Sequence, residues 1–305
     1  MRYRQPTLST CVSLSPTWSA ISYSLVAVMA IIIATGCRPV ALTEQLEARR
    51  LAADMHVQFT KATEAANRAV MADTDEASAS AAREARDGAQ SVERDLKELQ
   101  PILTSLGYTD ELRYVEAFDE AFGEYRELDD EILPLAVENS NVKAQRLSFG
   151  PARQASDEFR RSLDAAVRAA TPPSPCCADA LASKATAALL DIQVLHAPHI
   201  AEAEDAAMTR MEEQMAASEA VVQKTLDDLK RLLGAKAGGQ LTAATAAFDR
   251  FKETHREIIT LSRRNSDVRS LALSLGRKRM VTAAADDQLR ALEETLSRRG
   301  FTATR

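Results

Sequence analysis

Three of the four histidines in this chain lie at positions where helix geometry could bring them together. His196 and His199 are three residues apart, and Glu202 follows at the same interval, a spacing that places side chains on one face of a helix. In an antiparallel bundle, His255 on a later helix would approach the same end. Imidazole and carboxylate groups bind zinc and iron, so these histidines form a candidate metal or haem site. The alternative interpretation is that they are ordinary helix-end histidines without a ligand.

Sulfur-bearing residues form two further groups. Met208, Met211 and Met215 could bind Cu(I), but their spacing also places them on the apolar seam of a bundle helix, and we favour this core interpretation. Cys176 and Cys177 could form a disulfide or a redox pair in an oxidising compartment, although no general base neighbours them in the sequence. Motifs for phosphate binding and for nucleophilic or zinc-dependent hydrolysis are also missing. The sequence therefore predicts a protein without enzymatic activity.

The N-terminal segment predicts export. Residues 5–36 carry no charged side chain, Arg2 and Arg4 precede them, and residues 25–34 form a continuous apolar run. A short basic region followed by an apolar region is the pattern of a secretory signal.

The end of this segment resembles the bacterial lipobox, in which small residues precede a cysteine that becomes lipidated. Its sequence is Ile33-Ala34-Thr35-Gly36-Cys37. The resemblance implies a signal peptide over residues 1–36, a lipid on Cys37 and a short tether over residues 37–41. The alternative is an uncleaved membrane anchor, because the segment is long enough to cross a bilayer of about 30 Å. Both interpretations place the rest of the chain in the bacterial cell envelope, membrane-anchored and facing the periplasm or the exterior.

The composition excludes several other classes of protein. The 305 residues are 46% hydrophobic but only 5% aromatic, and they include ten glycines and ten prolines. A β-sandwich or barrel needs frequent turn residues and many aromatic or β-branched side chains, so the sequence predicts an all-α fold of long helices. The formal net charge of −6 offers no basic surface for nucleic acid.

The chain is an internal duplication. Residues 92–99 (VERDLKEL) align with residues 222–229 (VQKTLDDL) at a shift of 130, and residues 139–150 align with residues 265–276 at a shift of 126. The four-residue difference is about one turn of helix, so a helix can absorb it with little rotation of its apolar face. Such self-similarity sets the domain organisation.

Apolar residues recur with a helical period in both repeats, and Gly and Pro divide each repeat into four helices. The predicted helices are approximately 42–70, 74–105, 109–138 and 141–169, then 178–198, 201–234, 239–262 and 266–298, with a break at Gly150-Pro151 inside or before the fourth. The sequence therefore predicts two tandem antiparallel four-helix bundles, residues 42–170 and residues 178–298. A Pro- and Cys-containing linker, residues 171–177, separates them, and a polar tail, residues 299–305, follows.

The helix lengths and the polar turn at residues 138–141 (ENSN) resemble the four-helix-bundle sensor domains of methyl-accepting chemotaxis receptors and related sensor kinases. The resemblance covers each repeat. It implies extracytoplasmic sensing, a homodimer and small ligands bound between helices. The duplication departs from that family, and so does the lack of a returning membrane helix and a signalling module. A membrane receptor or kinase is therefore the expected signalling partner.

Together these observations predict a non-enzymatic, extracytoplasmic, sensor-like or ligand-binding accessory lipoprotein. Two alternatives remain. One is a structural or adaptor lipoprotein of the envelope that acts through helix–helix contacts, and the other is a metal- or haem-binding bundle protein that uses His196, His199 and His255. The leading hypothesis requires no cofactor. Its expected partners are the membrane, through the lipidated N-terminus, and a receptor or kinase, but not nucleic acid.

Overall fold

The chain is all-α, as the composition predicts. The computed structural model describes residues 18–169 and residues 175–302, with most side chains between residues 41 and 299. The helices in these ranges are α1 (Trp18–Met71), α2 (Asp75–Ser105), α3 (Thr109–Glu138), α4 (Ser140–Leu147), α5 (Arg153–Ala169), α6 (Pro175–Ala201), α7 (Asp205–Leu233), α8 (Gly238–Arg264), α9 (Ser266–Leu273) and α10 (Arg279–Thr302). Short π-helical turns, Ser148–Ala152 and Ser274–Lys278, join α4 to α5 and α9 to α10.

Local sequence accounts for several helix ends. Thr74 caps α2 by accepting a hydrogen bond from the backbone N–H of Ala77 at 3.1 Å. Gly107, with φ of 71°, supplies the left-handed conformation that follows α2. Most predicted helix boundaries agree with the structure to within a few residues. The predicted break at Gly150-Pro151 is the π-helical turn inside the fourth segment of the first repeat.

The helices form two four-helix bundles, but the fourth segment of each repeat packs in the bundle of the other repeat. Bundle A contains α1, α2 and α3 from the first repeat with α9 and α10 from the second. Bundle B contains α6, α7 and α8 from the second repeat with α4 and α5 from the first. The fourth segments thus depart from the sequence prediction, which assigned residues 42–170 to one bundle and residues 178–298 to the other.

This exchange follows from the connection between the third and fourth segments. Asn139 alone separates α3 from α4, and Asn265 alone separates α8 from α9. Both asparagines adopt the left-handed conformation, with φ of 50° and 52°. Two antiparallel helices normally need a loop of about 2–5 residues. A one-residue link therefore sends the chain into the neighbouring bundle instead of back along the same one.

The two links meet at a pseudo-two-fold axis between the bundles. The backbone N–H of Ser140 donates to Oγ of Ser266, and the N–H of Ser266 donates to Oγ of Ser140, both at 3.0 Å. Asn141 and Asp267 exchange backbone-to-side-chain hydrogen bonds in the same way, at 2.8 and 3.2 Å. The partners are 126 residues apart, which is the repeat shift in this region. Each helix thus caps its repeat equivalent and satisfies N–H groups that a helix start leaves open.

Aromatic and aliphatic side chains fill both bundles. In bundle A, the Phe59 ring makes edge-on contacts with Phe118 and Tyr125, at centroid distances of 5.8 and 5.2 Å. In bundle B, Met208 and Met215 are buried, and Met211 is partly buried against the same core. This burial confirms the core interpretation of the methionine seam.

Several sequence predictions fall outside this description. Residues 1–17 of the predicted signal, residue 170 at the end of the first predicted bundle, residues 171–174 of the predicted linker and the last three residues of the polar tail lie outside the described residues, as does the side chain of Cys37. Where the structure does describe the chain, none of its helices combines the length and hydrophobicity that crossing a bilayer requires. The signal and the lipidation site therefore stay predictions.

Candidate functional site

His196 and His255 form a pair inside bundle B. His196 on α6 is fully buried, and His255 on α8 is half-buried. Nε2 of His196 lies 2.9 Å from Nδ1 of His255, and Nδ1 of His196 lies 3.1 Å from Oγ of Ser148. Both imidazole rings stack on Phe251. A hydrogen-bonded chain therefore joins α6, α8 and the π-helical turn of the first repeat.

The surroundings keep this pair neutral. Burial, and to a smaller extent the neighbouring His255, lowers the pKa of His196 to about 3. Burial, with the nearby His199, lowers the pKa of His255 to about 4. Between two neutral rings, one ring nitrogen can donate its N–H to the unprotonated nitrogen of the other ring across this 2.9 Å distance. Two imidazolium rings would instead place two N–H donors against each other, with no acceptor. Both rings are therefore uncharged at neutral pH.

His199 belongs to a separate network one helical turn further along α6. Its Nδ1 lies 2.8 Å from Oγ of Ser262, and its Nε2 lies 2.9 Å from Oε1 of Glu212. Glu212 also accepts two hydrogen bonds from the guanidinium of Arg263, at 2.6 and 3.0 Å. This contact with Arg263 holds the pKa of the Glu212 carboxyl below its ordinary value. Protein groups thus engage both ring nitrogens of His199.

The three histidines of the predicted metal or haem site have different hydrogen-bond partners, and their metal-binding role stays a prediction. The structure brings His196 and His255 into contact but gives His199 different partners. Across the described ranges, no group of three or more His, Cys, Asp or Glu side chains is placed to hold a metal ion. The hydrogen bonds account for this result, because they direct the ring nitrogens toward protein partners instead of toward a common point.

Cys176 and Cys177 lie in the first turn of α6, and not in the linker where the sequence analysis placed them. The helix begins at Pro175, and proline is favoured at the first helical position. Both thiols are exposed and free. Their predicted role as a disulfide or redox pair stays a prediction.

Bundle A contains a buried ion pair that the sequence analysis did not identify. Lys278 ends the π-helical turn before α10 and is 2% exposed, and its ammonium group contacts the carboxylate of Asp129 on α3. The ammonium nitrogen also lies 4.7 Å from the centre of the Tyr125 ring, at cation–π distance. Burial lowers the pKa of Lys278 and raises the pKa of Asp129, while the attraction between the two charges opposes both shifts. Each group is thus the compensating charge of the other.

Lys278 also lines a partly enclosed cavity of about 400 Å³, which we call the α1–α10 cavity. Small-molecule sites commonly have volumes of about 300–1,000 Å³. The hydroxyl of Thr282 in this wall is buried and has no hydrogen-bond partner among the described residues. The lining residues are Thr63, Asn67, Val70, Met71, Leu271, Ser274, Leu275, Lys278, Arg279 and Thr282. Because one wall comes from α1 and the other from the second repeat, the exchange of fourth segments creates the cavity.

A larger recess of about 550 Å³ lies between α5 and α8 in bundle B. It is an open groove, and two of its charged side chains, Glu158 and Arg250, contact each other. Its remaining surface is formed largely by small side chains. In the part of the chain that the structure describes, no unpartnered buried polar atom belongs to its lining. The α1–α10 cavity is therefore the better candidate for a ligand site.

The repeat alignment contains a signal for Lys278. At the shift of 126, Lys278 is equivalent to Ala152, and Ala152 is fully buried in bundle B. The second repeat thus places a charged residue where the first repeat has a buried alanine. This difference indicates that the charge serves a role that the helical scaffold alone does not require. The same comparison relates Thr282 to Ser156 and Leu275 to Phe149. Comparing the repeats residue by residue would thus have identified the site.

No protein-family model matches this chain, and no curated protein is similar to it in sequence. The structure itself supports an all-helical architecture of the bundle type. The geometry of the α1–α10 cavity and of the two buried polar clusters is therefore the basis for a functional proposal.

Proposed function

We propose that this chain is a non-enzymatic, membrane-tethered protein of the bacterial envelope that binds a small ligand in the α1–α10 cavity. The observation that carries the proposal is the polar wall of this cavity, with the buried ammonium of Lys278 and the buried, unpartnered hydroxyl of Thr282. Buried polar groups normally have hydrogen-bond partners. A buried hydroxyl without a hydrogen-bond acceptor in the wall of a cavity supports the binding of a ligand that supplies this acceptor.

The exchange of helices supports a sensor-like role. The π-helical turn and α10 form one wall of the cavity, and α9 before them is tied through Asn265 to α8 of bundle B. Ser140 and Asn141 of bundle B cap the first turn of α9. A ligand that moves this wall would therefore shift elements of both bundles, which is the coupling that an accessory sensor needs to present a signal to a membrane receptor or kinase.

A cavity-filling substitution tests the binding proposal. Leu275 is 64% exposed and lines the cavity, so Leu275→Trp fills space without disturbing the core. For the full-length chain in lipid nanodiscs, we expect at least one compound in a panel of amino acids, organic acids and divalent metals to raise Tm. A ligand at a hundred times its Kd should raise Tm by roughly 5–10 °C. Leu275→Trp should abolish most of this shift.

Phe149→Trp is the matched control. Phe149 is the repeat equivalent of Leu275, is 66% exposed and does not line the cavity, so this variant should retain the ligand-induced shift. An equal loss in both variants, or full retention in Leu275→Trp, would place the ligand elsewhere and contradict the proposal.

A structural or adaptor function is the second candidate. Leu190 and Val194 lie one helical turn apart on α6 and are 46% and 72% exposed, so they offer an apolar surface for a helix–helix contact. If no member of the panel stabilised the wild-type chain, the ligand-binding proposal would fail and this adaptor function would be favoured.

A further inference from the structure

We propose that the ligand of the α1–α10 cavity is a monocarboxylate with an apolar body, such as an aryl-alkanoic acid. This inference rests on the proposed function, because it specifies the chemistry of a ligand in the same cavity. It follows from the apolar and polar side chains that line the cavity and from the difference between the two repeats.

Part of the cavity lining suits an apolar group. Val70, Met71, Leu271 and Leu275 contribute side chains there, and Leu271 and Leu275 remain 38% and 64% exposed. Burying apolar surface against such side chains is favourable by about 25 cal/mol per Å². A hydrocarbon chain or an aromatic ring would cover this exposed apolar surface.

The lining also contains hydrogen-bond donors with unused capacity. The Lys278 ammonium has three N–H groups, and its carboxylate partner among the described residues is Asp129 alone. The Thr282 hydroxyl is unpartnered in the same wall. A carboxylate has two oxygen atoms and can accept from both groups at once, with charge-assisted hydrogen bonds.

The charge around the cavity favours an anion over a neutral acceptor. Asp129 balances Lys278, but Asp129 itself lines a separate, smaller cavity with Arg86 and Arg126. Arg279 lies exposed at the rim of the α1–α10 cavity and forms no ion pair with any described residue. The side chains that line the α1–α10 cavity therefore carry a net positive charge.

Bundle B shows that the scaffold does not require the buried ammonium. The position equivalent to Lys278 is Ala152, which is buried, whereas the position equivalent to Thr282 is Ser156, which also carries a hydroxyl. The ammonium is thus a specialisation of bundle A, and a hydroxyl occupies the second position in both bundles.

The test compares three ligands that share an apolar body and differ in charge. Binding of 3-phenylpropionate, 3-phenylpropan-1-ol and 3-phenylpropylamine to the full-length chain in nanodiscs is measured by isothermal titration calorimetry, with empty nanodiscs as reference. We expect the acid to bind at least about tenfold more tightly than the alcohol, as a charge-assisted hydrogen bond implies. The amine should bind most weakly. An alcohol or amine that bound as tightly as the acid would overturn the carboxylate assignment and leave the ligand-binding function intact. No binding by any of the three would also overturn the carboxylate assignment, and the Tm panel described above then decides the ligand-binding function separately.

Two substitutions test whether the carboxylate binds in the cavity. Thr282→Val removes an unpartnered hydroxyl and keeps the side-chain shape, so folding should be preserved while the Kd of the acid rises about 2- to 13-fold. Arg279→Gln should also raise this Kd and make binding less dependent on salt. The repeat-equivalent controls Ser156→Ala and Arg153→Gln should leave the Kd unchanged. Acid binding that is equally tight in Thr282→Val and in the wild type would overturn the proposed position of the head group.

Discussion

Replacing Lys278 with alanine is expected to lower the free energy of unfolding by about 3–5 kcal/mol. The substitution leaves the carboxylate of Asp129, which is 6% exposed, inside bundle A without its cation. An unpaired buried charge is costly because protein and surrounding side chains solvate it far less well than water does. The measurement is urea denaturation followed by circular dichroism at neutral pH.

Two further variants separate the charge effect from the loss of side-chain volume. The double replacement Lys278→Met with Asp129→Leu removes both charges and should restore stability to about the wild-type level or above it. Arg290→Ala breaks an ion pair with Asp286 in which Arg290 is 67% exposed, and should cost less than about 1 kcal/mol. If Lys278→Ala were as mild as Arg290→Ala, the buried ion pair would not exist as described.

Acidification from pH 6.5 to pH 5 is expected to lower the free energy of unfolding by about 2–4 kcal/mol through the His196–His255 pair. Burial lowers the pKa values of these rings to about 3 and about 4 in the folded chain, from 6.5. Between pH 6.5 and pH 5 the unfolded chain therefore binds more protons than the folded chain. Each of the two histidines then lowers the free energy of unfolding by about 1.4 kcal/mol per pH unit. The contribution of the two neutral histidines to the free energy of unfolding is thus fully present above pH 6.5 and is lost as the pH falls.

The slope with pH is the readout of this prediction. Urea denaturation at several pH values between 5 and 6.5 should show a steep slope for the wild-type chain and a slope reduced by at least half in the double variant His196→Leu with His255→Leu. Most carboxylates stay ionised over this range, so the slope isolates the histidines. An unchanged slope in the double variant would show that these two rings do not titrate as their burial implies.

Local sequence patterns predicted the helices well because each signal acts within a few residues. The α2 helix, expected at 74–105, is Asp75–Ser105, and its N-cap, Thr74, is a residue type favoured at that position. The Met208 and Met215 seam is buried as its spacing predicts. The sequence predicted that His196 and His255 approach each other, and they do, whereas their metal-binding role stays a prediction. Their partners, such as Ser148, come from an element that only the three-dimensional packing brings near.

The exchange of fourth segments could not be predicted from helical periodicity. The apolar face of α10 would look the same whether it packed on its own repeat or on the other one. The available signal was the one-residue link at Asn139, which is too short to reverse the chain. Helical periodicity also did not reveal the pairing of Lys278 with Asp129, because the two residues belong to different repeats. The available signal for Lys278 was the buried alanine, Ala152, at the equivalent position of the first repeat.

A disulfide test of the exchange addresses the central claim, that both repeats together build the ligand cavity. Oγ of Ser274 lies 3.4 Å from Oδ1 of Asn67 on α1, whereas Ser148, the repeat equivalent of Ser274, lies in bundle B beside His196. With Cys176 and Cys177 replaced by serine, the pair Asn67→Cys and Ser274→Cys is oxidised, and the linked peptides are quantified by mass spectrometry. The pair Asn67→Cys and Ser148→Cys is treated identically. The account predicts an intramolecular disulfide in the first pair and none in the second, and a disulfide in the second pair alone would contradict it.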